Sequence, residues 1–364
     1  MYIGSVEFSD FRNFHSLSFT PATGLNILTG PNAQGKTNFL EGLAVLVVGR
    51  SFRGVRAVEL PRWECDRAAV SGELRRREGA RGLRRVVQRR EDGAWAVTGE
   101  GCPWARVIPF GWHDMAILHG GPQTRRDFLD GFAGKLYPAH LTAYRQYRDI
   151  LQRRNRLLQQ GFPPARLRSE LEPWSEQLAR VGIELLTRRR AAVEALEREA
   201  ASLYPELAGR GAVRLLYRGS LGEDATVESF RQALERRFTE EAQRGLTMVG
   251  PHRDDLVIEL DGRDLRSFGS RGQQRVMALT LRLAEVAPVA DAVGSTPILL
   301  LDDALSELDP RTRTRVLAHV AEVGQVFLTS ADLEVDEGYP ATSWWEVMGG
   351  RVSEHGVTAV HGAA

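Results

Sequence analysis

The chain has 364 residues, of which 43% are hydrophobic and 26% are charged, a balance typical of soluble globular proteins with one large domain or two ordinary ones. The longest apolar runs, such as residues 43–48 and 298–301, are too short to cross a bilayer, and the N-terminus lacks the basic start and apolar core of a secretory signal. Cys65 and Cys102 lack the spacing of a zinc site or a disulfide framework. These features exclude a disordered chain and a membrane bundle, so we expect a cytoplasmic protein without a membrane partner.

The charge of the chain is unevenly distributed. Residues 50–110 contain 14 arginines against 8 acidic residues, and residues 123–190 contain 14 basic against 7 acidic residues, although the net charge of the whole chain is only +1. Two basic tracts indicate a polyanionic partner, and solvated surface faces would explain them equally well. Only two of the 48 basic residues are lysines, Lys36 and Lys135, which singles out Lys36 as a place where arginine does not serve.

The first informative segment in chain order is a glycine-rich loop. Residues 24–29 predict a short buried strand and residues 38–46 predict a helix, and the eight residues between them match GxxxxGK[ST]. The sequence therefore predicts an ATP-binding phosphate loop, in which Lys36 reaches the β- and γ-phosphates and Thr37 ligates Mg²⁺. The predicted nucleotide-binding residues of this loop are Gly30, Pro31, Asn32, Ala33, Gln34, Gly35, Lys36 and Thr37.

The two basic tracts that follow predict different structures. Residues 70–74, 84–89 and 95–97 read as short strands of an antiparallel sheet, whose arginines could contact DNA phosphates. Residues 123–160 are rich in helix formers, the chain breaks at residues 162–164, and a second long helix follows. We predict two antiparallel helices of about 35 residues and about 50 Å each.

The second of these helices carries an apolar seam. Its members recur at steps of three and four, which is the spacing of a helical hairpin core. They are Leu171, Trp174, Leu178, Val181 and Leu185. The arginine clusters at 153–156 and 188–190 flank the seam, either as solvated helix faces or as DNA contacts.

Two carboxylates follow a late strand. Residues 297–301 predict a strand buried on both faces, and Asp302 and Asp303 come at its carboxyl end, where open α/β sheets bind ligands. We predict that Asp302, together with Thr37, holds Mg²⁺, and that Asp303 is the catalytic base or orients the attacking water. Lys36 and Asp302, both assigned to catalysis, are 266 positions apart, so a second unit must be inserted between the two halves of the site.

A serine–glycine motif precedes another predicted helix. Residues 267–275 read Ser-Phe-Gly-Ser-Arg-Gly-Gln-Gln-Arg, and residues 306–309 read Ser-Glu-Leu-Asp. They resemble the signature motif and the D-loop of ABC-type ATPases. In that family the signature serine faces the γ-phosphate held by a second copy, so the resemblance implies an ATP-dependent homodimer. Its nucleotide contacts across the dimer would be Ser270, Gly272 and Gln273.

Further segments narrow the family. They are Phe-Arg-Asn-Phe at 11–14, the segment 120–130 that begins Gly-Gly-Pro, Gly-Pro-His-Arg-Asp-Asp-Leu at 250–256, and the signature spelling Ser-Arg-Gly-Gln-Gln. Together they resemble the RecF family of bacterial recombination mediators, a member of the SMC/Rad50 branch of ABC-type ATPases, from about residue 3 to about residue 330. The resemblance also implies that Arg12 contacts the nucleotide.

The resemblance implies an α/β fold: a P-loop ABC-type ATPase head with a mixed sheet and helices, carrying an inserted α-helical arm domain. We expect the head at residues 1–112 and 246–364 and the arm, with a short antiparallel hairpin, at 113–245. The implied function is an ATP-gated dimeric clamp and slow, DNA-stimulated ATPase in recombinational repair of gapped or stalled-replication DNA and in the SOS response. Its implied partners are double-stranded DNA, single-strand/duplex junctions and RecR, with RecO and RecA in the pathway, at the nucleoid.

Two alternatives stay open at this point: an SMC/Rad50-type head with another role in chromosome maintenance, and a nucleotide-dependent DNA scaffold with negligible hydrolysis. The chain also departs from the wider ABC pattern. The usual switch histidine is replaced by Thr329, Ser330 or Asp332, and either His113 or Asp114 stands where the Q-loop glutamine belongs. Asp303 replaces the usual glutamate, which favours a slow switch over fast turnover.

Overall fold

The computed structural model describes residues 1–331 and 343–354. The strands are β1 (Tyr2–Phe11), β2 (Phe14–Phe19), β3 (Leu25–Thr29), β4 (Arg67–Arg76), β5 (Gly79–Arg89), β6 (Trp95–Thr98), β7 (Val107–Phe110), β8 (Val213–Arg218), β9 (Asp255–Leu260), β10 (Arg263–Asp264), β11 (Ile298–Asp302), β12 (Val326–Thr329), β13 (Ser343–Met348) and β14 (Arg351–Glu354). The α-helices are α1 (Lys36–Val48), α2 (Ala116–His119), α3 (Pro122–Leu136), α4 (His140–Leu158), α5 (Pro164–Ala208), α6 (Val227–Arg244), α7 (Leu265–Phe268), α8 (Arg271–Leu283), α9 (Val286–Val293) and α10 (Pro310–Glu322).

The chain forms two compact units. The first comprises residues 1–115, 203–210 and 271 onward, and the second comprises residues 116–202 and 211–270. Within the described parts of both units, no helix combines the length and the apolar composition that a membrane span requires.

The first unit contains a six-stranded mixed sheet in the order β14-β13-β3-β12-β11-β7. All its neighbouring strands are parallel except β13 and β14. The residues of β3 and β12 are buried throughout, as are the first four residues of β11, which is why their sequences are mostly apolar and do not alternate with exposed polar residues. The carboxyl ends of β3, β11 and β12 therefore meet at one edge of the sheet, and the mixed sheet expected from the family resemblance is confirmed.

A second sheet of the first unit is antiparallel, in the order β2-β1-β4-β5-β6. Its strands β4, β5 and β6 include the three short strands predicted in the first basic tract. Helix α1 packs against this sheet as well as against β11 and β12, and an aromatic cluster that includes Phe8, Phe39 and Phe327 fills the space between. Gly42 makes this approach possible, because a Cβ there would lie 2.3 Å from the Phe8 ring.

The second unit holds α2 to α4, α6, α7 and most of α5, together with the three-stranded antiparallel sheet β10-β9-β8. The predicted apolar seam of α5 is confirmed, since Leu171, Leu178, Val181 and Leu185 are buried. The single helix predicted over residues 123–160 is wrong, because α3 ends before Tyr137, whose extended backbone (φ −120°, ψ 101°) is the conformation that Pro138 imposes on its predecessor. Helix α5 has 45 residues and is longer than predicted.

The boundaries of the compact units differ from those predicted for the head and the arm. Residues 246–270 belong to the second unit, because β9 pairs antiparallel with β8 from Val213↔Leu260 to Arg218↔Asp255. The inserted unit is therefore a mixed α/β structure, whereas the sequence predicted helices alone. A pairing between segments about 40 residues apart leaves no local pattern in the sequence that would identify it.

Candidate nucleotide-binding site

The loop predicted to bind phosphate lies between β3 and α1. Gly30 and Gly35 have φ values of 135° and 114°, in the region that side chains disfavour. A Cβ at Gly30 would lie 2.4 Å from the Val347 carbonyl oxygen, and one at Gly35 would lie 2.5 Å from Asn13 Nδ2. Both glycines are thus required by conformation and by space, which confirms that residues 30–37 form a tight strand–loop–helix turn.

Polar contacts hold this loop in shape. The Lys36 ammonium donates to the carbonyl oxygens of Gly30 and Pro31, the latter at 2.9 Å. Asn13, from the turn between β1 and β2, donates to the Gln34 carbonyl oxygen at 2.9 Å, and the Gln34 side chain accepts from Gly349 N at 2.8 Å. The Phe-Arg-Asn-Phe segment therefore acts on the loop through Asn13.

Thr37, Asp302 and Thr329 meet at the shared edge of the mixed sheet. The Thr37 hydroxyl lies 2.9 Å from each carboxylate oxygen of Asp302, and the Thr329 hydroxyl donates to Asp302 Oδ1 at 2.8 Å. Burial raises the pKa of the Asp302 carboxyl above its ordinary value and nearby Asp303 acts in the same direction, while the bonds from Thr329 and Thr37 oppose the shift. A cation bound here would stabilise the carboxylate that burial disfavours.

The donor set fits Mg²⁺. Hydroxyl and carboxylate oxygens are the hard ligands that this ion prefers, and Mg²⁺ commonly takes one or two protein oxygens and completes its shell with water and substrate phosphates. Across the described ranges, no group of three or more His, Cys, Asp or Glu side chains could enclose a metal alone. A cation at Thr37 and Asp302 would therefore depend on oxygens from a bound nucleotide and from water.

Asp303 adopts an uncommon backbone conformation, with φ at 50°. Its amide donates to the Thr329 hydroxyl at 3.0 Å, and its carbonyl oxygen accepts from Arg275 of α8 at 2.8 Å. Non-glycine residues with positive φ cost about 1–3 kcal/mol and persist where surrounding contacts hold them, which occurs most often at functional sites. The strained backbone therefore makes Asp303, which is exposed and follows Asp302, a candidate functional residue.

These residues line one cleft of about 400 Å³, a size within the range of small-molecule sites. Its walls come from the loop, α1, the segments after β7, β11 and β12, and the segment that follows α1. The lining residues are Asn32, Ala33, Gly35, Lys36, Thr37, Asn38, Phe52, Arg53, Trp112, His113, Asp302, Asp303, Thr329 and Ala331. The fold thus brings the predicted P-loop and both predicted carboxylates together.

Two charged residues of this region were missed by sequence reasoning. Glu41 is fully buried on α1 and accepts bonds from Arg12 at 2.7 and 3.0 Å and from the Ser51 hydroxyl. Its carboxylate also lies 3.7 Å from the guanidinium of Arg53, which lines the cleft. Arg12 pairs with Glu41 and is not among the cleft-lining residues, and its contact with a nucleotide stays a prediction. A single acid within the apolar run of residues 39–47 was the available signal.

The two candidates for the Q-loop position have different environments. Asp114 is buried, where it accepts from Gly111 N at 2.8 Å and from Arg282 at 2.6 and 3.0 Å, so its carboxylate is committed to holding the chain after β7. His113 lines the cleft with its ring 6.0 Å from that of Phe52. The neighbouring Trp112 also lines the cleft and is 79% exposed, and the motifs did not predict it.

None of the three signature residues is among those that line the cleft. Gly272 and Gln273 are exposed in the first turn of α8 and do not line the cleft. Ser270 is exposed and belongs to the second unit. Of the three residues considered for the switch position, Thr329 contacts both carboxylate residues, and Asp332 lies outside the described residues.

The sequence of this chain is similar to those of known proteins, although no family model matches it. A DNA replication and repair protein RecF from Anaeromyxobacter sp. (strain Fw109-5) is 36% identical over 97% of this chain and 99% of its own length. The protein of the same name from Halalkalibacterium halodurans is 34% identical over 92% of this chain and 94% of its own length.

Solved structures of proteins with the same name are also similar to this chain. A structure of the recombination mediator protein RecF with ATP, in the RecFOR pathway, has a TM-score of 0.85 and 27% identity, and one with ATPγS has a TM-score of 0.83 and 26% identity. Each covers 98% of both chains. An Smc head bound to a domain of ScpA has a TM-score of 0.58 at 15% identity over 98% of both chains, a likeness of fold alone.

Proposed function

Because this chain belongs to the RecF family, we propose that it is an ATP-binding ABC-type ATPase that acts on DNA in replication, recombination and repair. The observation that carries the proposal is the convergence of Lys36, Thr37 and Asp302, from two distant parts of the sequence, on one cleft. Two of the compared RecF structures were determined with ATP or ATPγS, which supports ATP as the nucleotide.

Each part of the cleft has a proposed role. The backbone of residues 30–35 and the Lys36 ammonium bind the phosphates, and Thr37 and Asp302 hold Mg²⁺. Bound Mg²⁺ would supply neutralisation of the phosphate charge. Asp303 orients the attacking water or accepts its proton, and Thr329, bonded to both aspartates, keeps them in place.

We further propose an ATP-dependent homodimer. Ser270, Gly272 and Gln273 are exposed where α8 begins, and a helix N-terminus with a glycine can bring backbone N–H groups close to a phosphate. In the dimer these residues would contact the nucleotide held by the partner, so that ATP closes two heads around duplex DNA and hydrolysis reopens them. Asp303, shorter than glutamate, and threonine in place of a switch histidine support a slow ATPase that DNA stimulates.

The proposed DNA targets are duplexes and single-strand/duplex junctions, with RecR as partner and RecO and RecA in the same pathway. These assignments rest on membership of the family, and the basic strands and helices support the DNA component. A role in gap repair and in assisting RecA loading follows as the biological proposal, at the nucleoid.

Sedimentation tests the proposal directly. We expect a monomer without nucleotide or with ADP, a dimer with ATP and Mg²⁺, and a larger DNA-bound species when duplex DNA is added with ATP. The Lys36→Arg variant is the matched control, since it keeps the charge of the loop. A sedimentation coefficient that ATP leaves unchanged would contradict the clamp, and turnover with and without DNA separates a slow ATPase from a scaffold.

A further inference from the structure

The arginines of the second unit differ in how they are employed. Of the clusters predicted to flank the hairpin, Arg154 is buried against Glu241 at 2.7 Å and Arg189 against Asp130 at 2.7 Å. Arg153 lies over the Trp174 ring at 5.2 Å. Arg154 and Arg189 therefore serve the interior of this unit and are unavailable to a polyanion.

Three exposed arginines on α4 have a different environment, and one of them, Arg156, belongs to the predicted cluster at 153–156. Arg145, Arg148 and Arg156 are exposed, and no ion pair is found for them within the part of the chain that the structure describes. The Arg148 guanidinium also lies 5.8 Å from the centre of the Tyr144 ring, a contact that leaves its charge unneutralised. The spacing of the three arginines, with Gln152 between Arg148 and Arg156, follows one face of the helix at steps of three and four. Exposed cations that are aligned and unneutralised create a local positive field.

These arginines line a groove of about 700 Å³ on the second unit, which we call the α4 groove. Its lining is Arg145, Arg148, Asp149, Leu151, Gln152, Asn155, Arg156, Gln159 and Leu246. Asp149 is the acid in this set, so the charged side chains leave a net positive surface.

The polar walls of the α4 groove are held in position. The Asn155 side-chain oxygen accepts from Thr247 N at 2.8 Å and from the Thr247 hydroxyl at 2.7 Å. Gln159 donates to the Gly245 carbonyl oxygen at 3.1 Å. The segment after α6 thereby fixes the amides that lie beside the arginines, which reduces the ordering cost of binding a ligand.

We propose that the α4 groove binds the sugar–phosphate backbone of DNA. Arg145 and Arg156 are eleven residues apart, about 16 Å along the helix, which matches about five nucleotide steps of one strand at about 3.4 Å each. Guanidinium groups bind phosphate oxygens through paired donors, and side-chain amides add neutral donors. This inference rests on the proposed DNA-binding function and assigns one of its contact surfaces.

The test compares two triple variants. Arg145→Gln/Arg148→Gln/Arg156→Gln removes the groove cations while keeping residues of similar helix propensity. The control, Arg166→Gln/Arg180→Gln/Arg237→Gln, removes three exposed arginines of the same unit that already pair with Glu170, Glu176 and Glu240. For the groove variant, the slope of log affinity for duplex DNA against log salt should fall by about 2–3, at about 0.9 per lost phosphate contact. The control should change it by less than about 1.

The outcomes distinguish this inference from the function on which it rests. A wild-type protein that binds no DNA overturns both. A wild type with a steep salt slope and a groove variant with the same slope overturns the groove alone. ATP affinity, measured separately, should be equal in all three proteins because the cleft residues are unchanged.

A measurement on the wild-type protein tests the same proposal without requiring that the variants fold. Modification by phenylglyoxal, read by mass spectrometry, should be suppressed by duplex DNA at Arg145, Arg148 and Arg156 and not at Arg166 or Arg180. Equal modification with and without DNA overturns the proposal. Protection by polyglutamate but not by DNA also overturns it and indicates an acidic protein segment as the occupant.

Discussion

Lys36 is one of two lysines in the chain, and its ammonium turns back onto carbonyl oxygens of its own loop. A guanidinium is planar and larger than an ammonium, so it cannot occupy the same small volume between the Gly30 and Pro31 carbonyl groups. The rarity of lysine in the chain and the tight geometry of the loop thus give the same indication about Lys36.

Lys36→Arg should therefore keep the charge and misplace it. We expect ATP turnover to fall by about 10²-fold or more, as for loss of a charge-stabilising donor, with weaker ATP-dependent dimerisation and a nearly unchanged melting temperature. Steady-state phosphate release and a thermal melt measure the two effects. Wild-type turnover in this variant would remove the loop from the catalytic site.

Asp303→Asn should separate closure from hydrolysis. Asparagine tolerates positive φ as well as aspartate does, so the 50° conformation should survive while the base is lost. Turnover should fall by about 10²–10⁴-fold, yet ATP should still produce the dimer and a long-lived DNA complex. The opposite pattern, normal hydrolysis with no dimer, would exclude the role given to Asp303.

At the scale of elements, Glu41 joins three segments: α1, the β1–β2 turn through Arg12, and the stretch after α1 through Ser51 and Arg53. Since Arg53 lines the cleft, the carboxylate of a buried helix residue supports one of the cleft walls. Helix α1, which begins with Lys36 and Thr37, therefore also fixes the position of the Arg53 guanidinium.

Glu41→Gln should weaken this junction. Breaking a buried ion pair costs about 3–5 kcal/mol, and the amide oxygen of glutamine can keep one of the bonds, so we expect a loss of about 3 kcal/mol in the free energy of unfolding. Urea denaturation measures it. Glu59→Gln, which removes an exposed partner of Arg56, is the control and should leave the denaturation midpoint unchanged, and equal effects of the two variants would contradict the interpretation.

The start of α8 is the element assigned to the partner's nucleotide. Ser270→Arg should bind ATP through its own intact P-loop but fail to dimerise, because the larger side chain occupies the place of the γ-phosphate contact. Mixed with a Lys36 variant it can form at most one complete composite site, and partial ATPase activity should return if one site suffices. Normal ATP-dependent dimerisation of Ser270→Arg alone would refute the signature assignment.

Elements whose identity depends on local pattern could be predicted from the sequence. The strand at 297–301 is buried on both faces and reads as a continuous apolar run, and the strand at 24–29 is mostly apolar around the buried Asn26. The β8–β9 pairing could not be predicted, since the partners are far apart and the alternating apolar residues of β9 identify no partner strand. The break after α3 had a local signal in Pro138, whereas no local pattern predicts that Arg12 pairs with the buried Glu41.

At the scale of the whole molecule, the proposed clamp predicts how DNA binding responds to conditions. Arginine contacts with phosphates release counterions, so affinity should fall steeply with salt and depend little on sequence. Two heads acting together should bind more tightly with ATP than with ADP. Fluorescence anisotropy with unrelated duplexes at several salt concentrations measures all three, and equal affinity with ATP and ADP would contradict an ATP-gated clamp.

The placement of β3 between β12 and β13 has a consequence for synthesis on the ribosome. Strand β3 ends at residue 29 and β12 begins at residue 326, so at about 5–20 residues per second the P-loop strand is complete for about 15–60 s before either neighbour is translated. The intervening unit can fold during that interval, whereas the nucleotide cleft assembles only after β11 and β12 have been translated. A chain whose synthesis stops before β11 would lack Asp302. Such truncated products should neither bind Mg²⁺-ATP in this cleft nor form inactive dimers with the full-length protein.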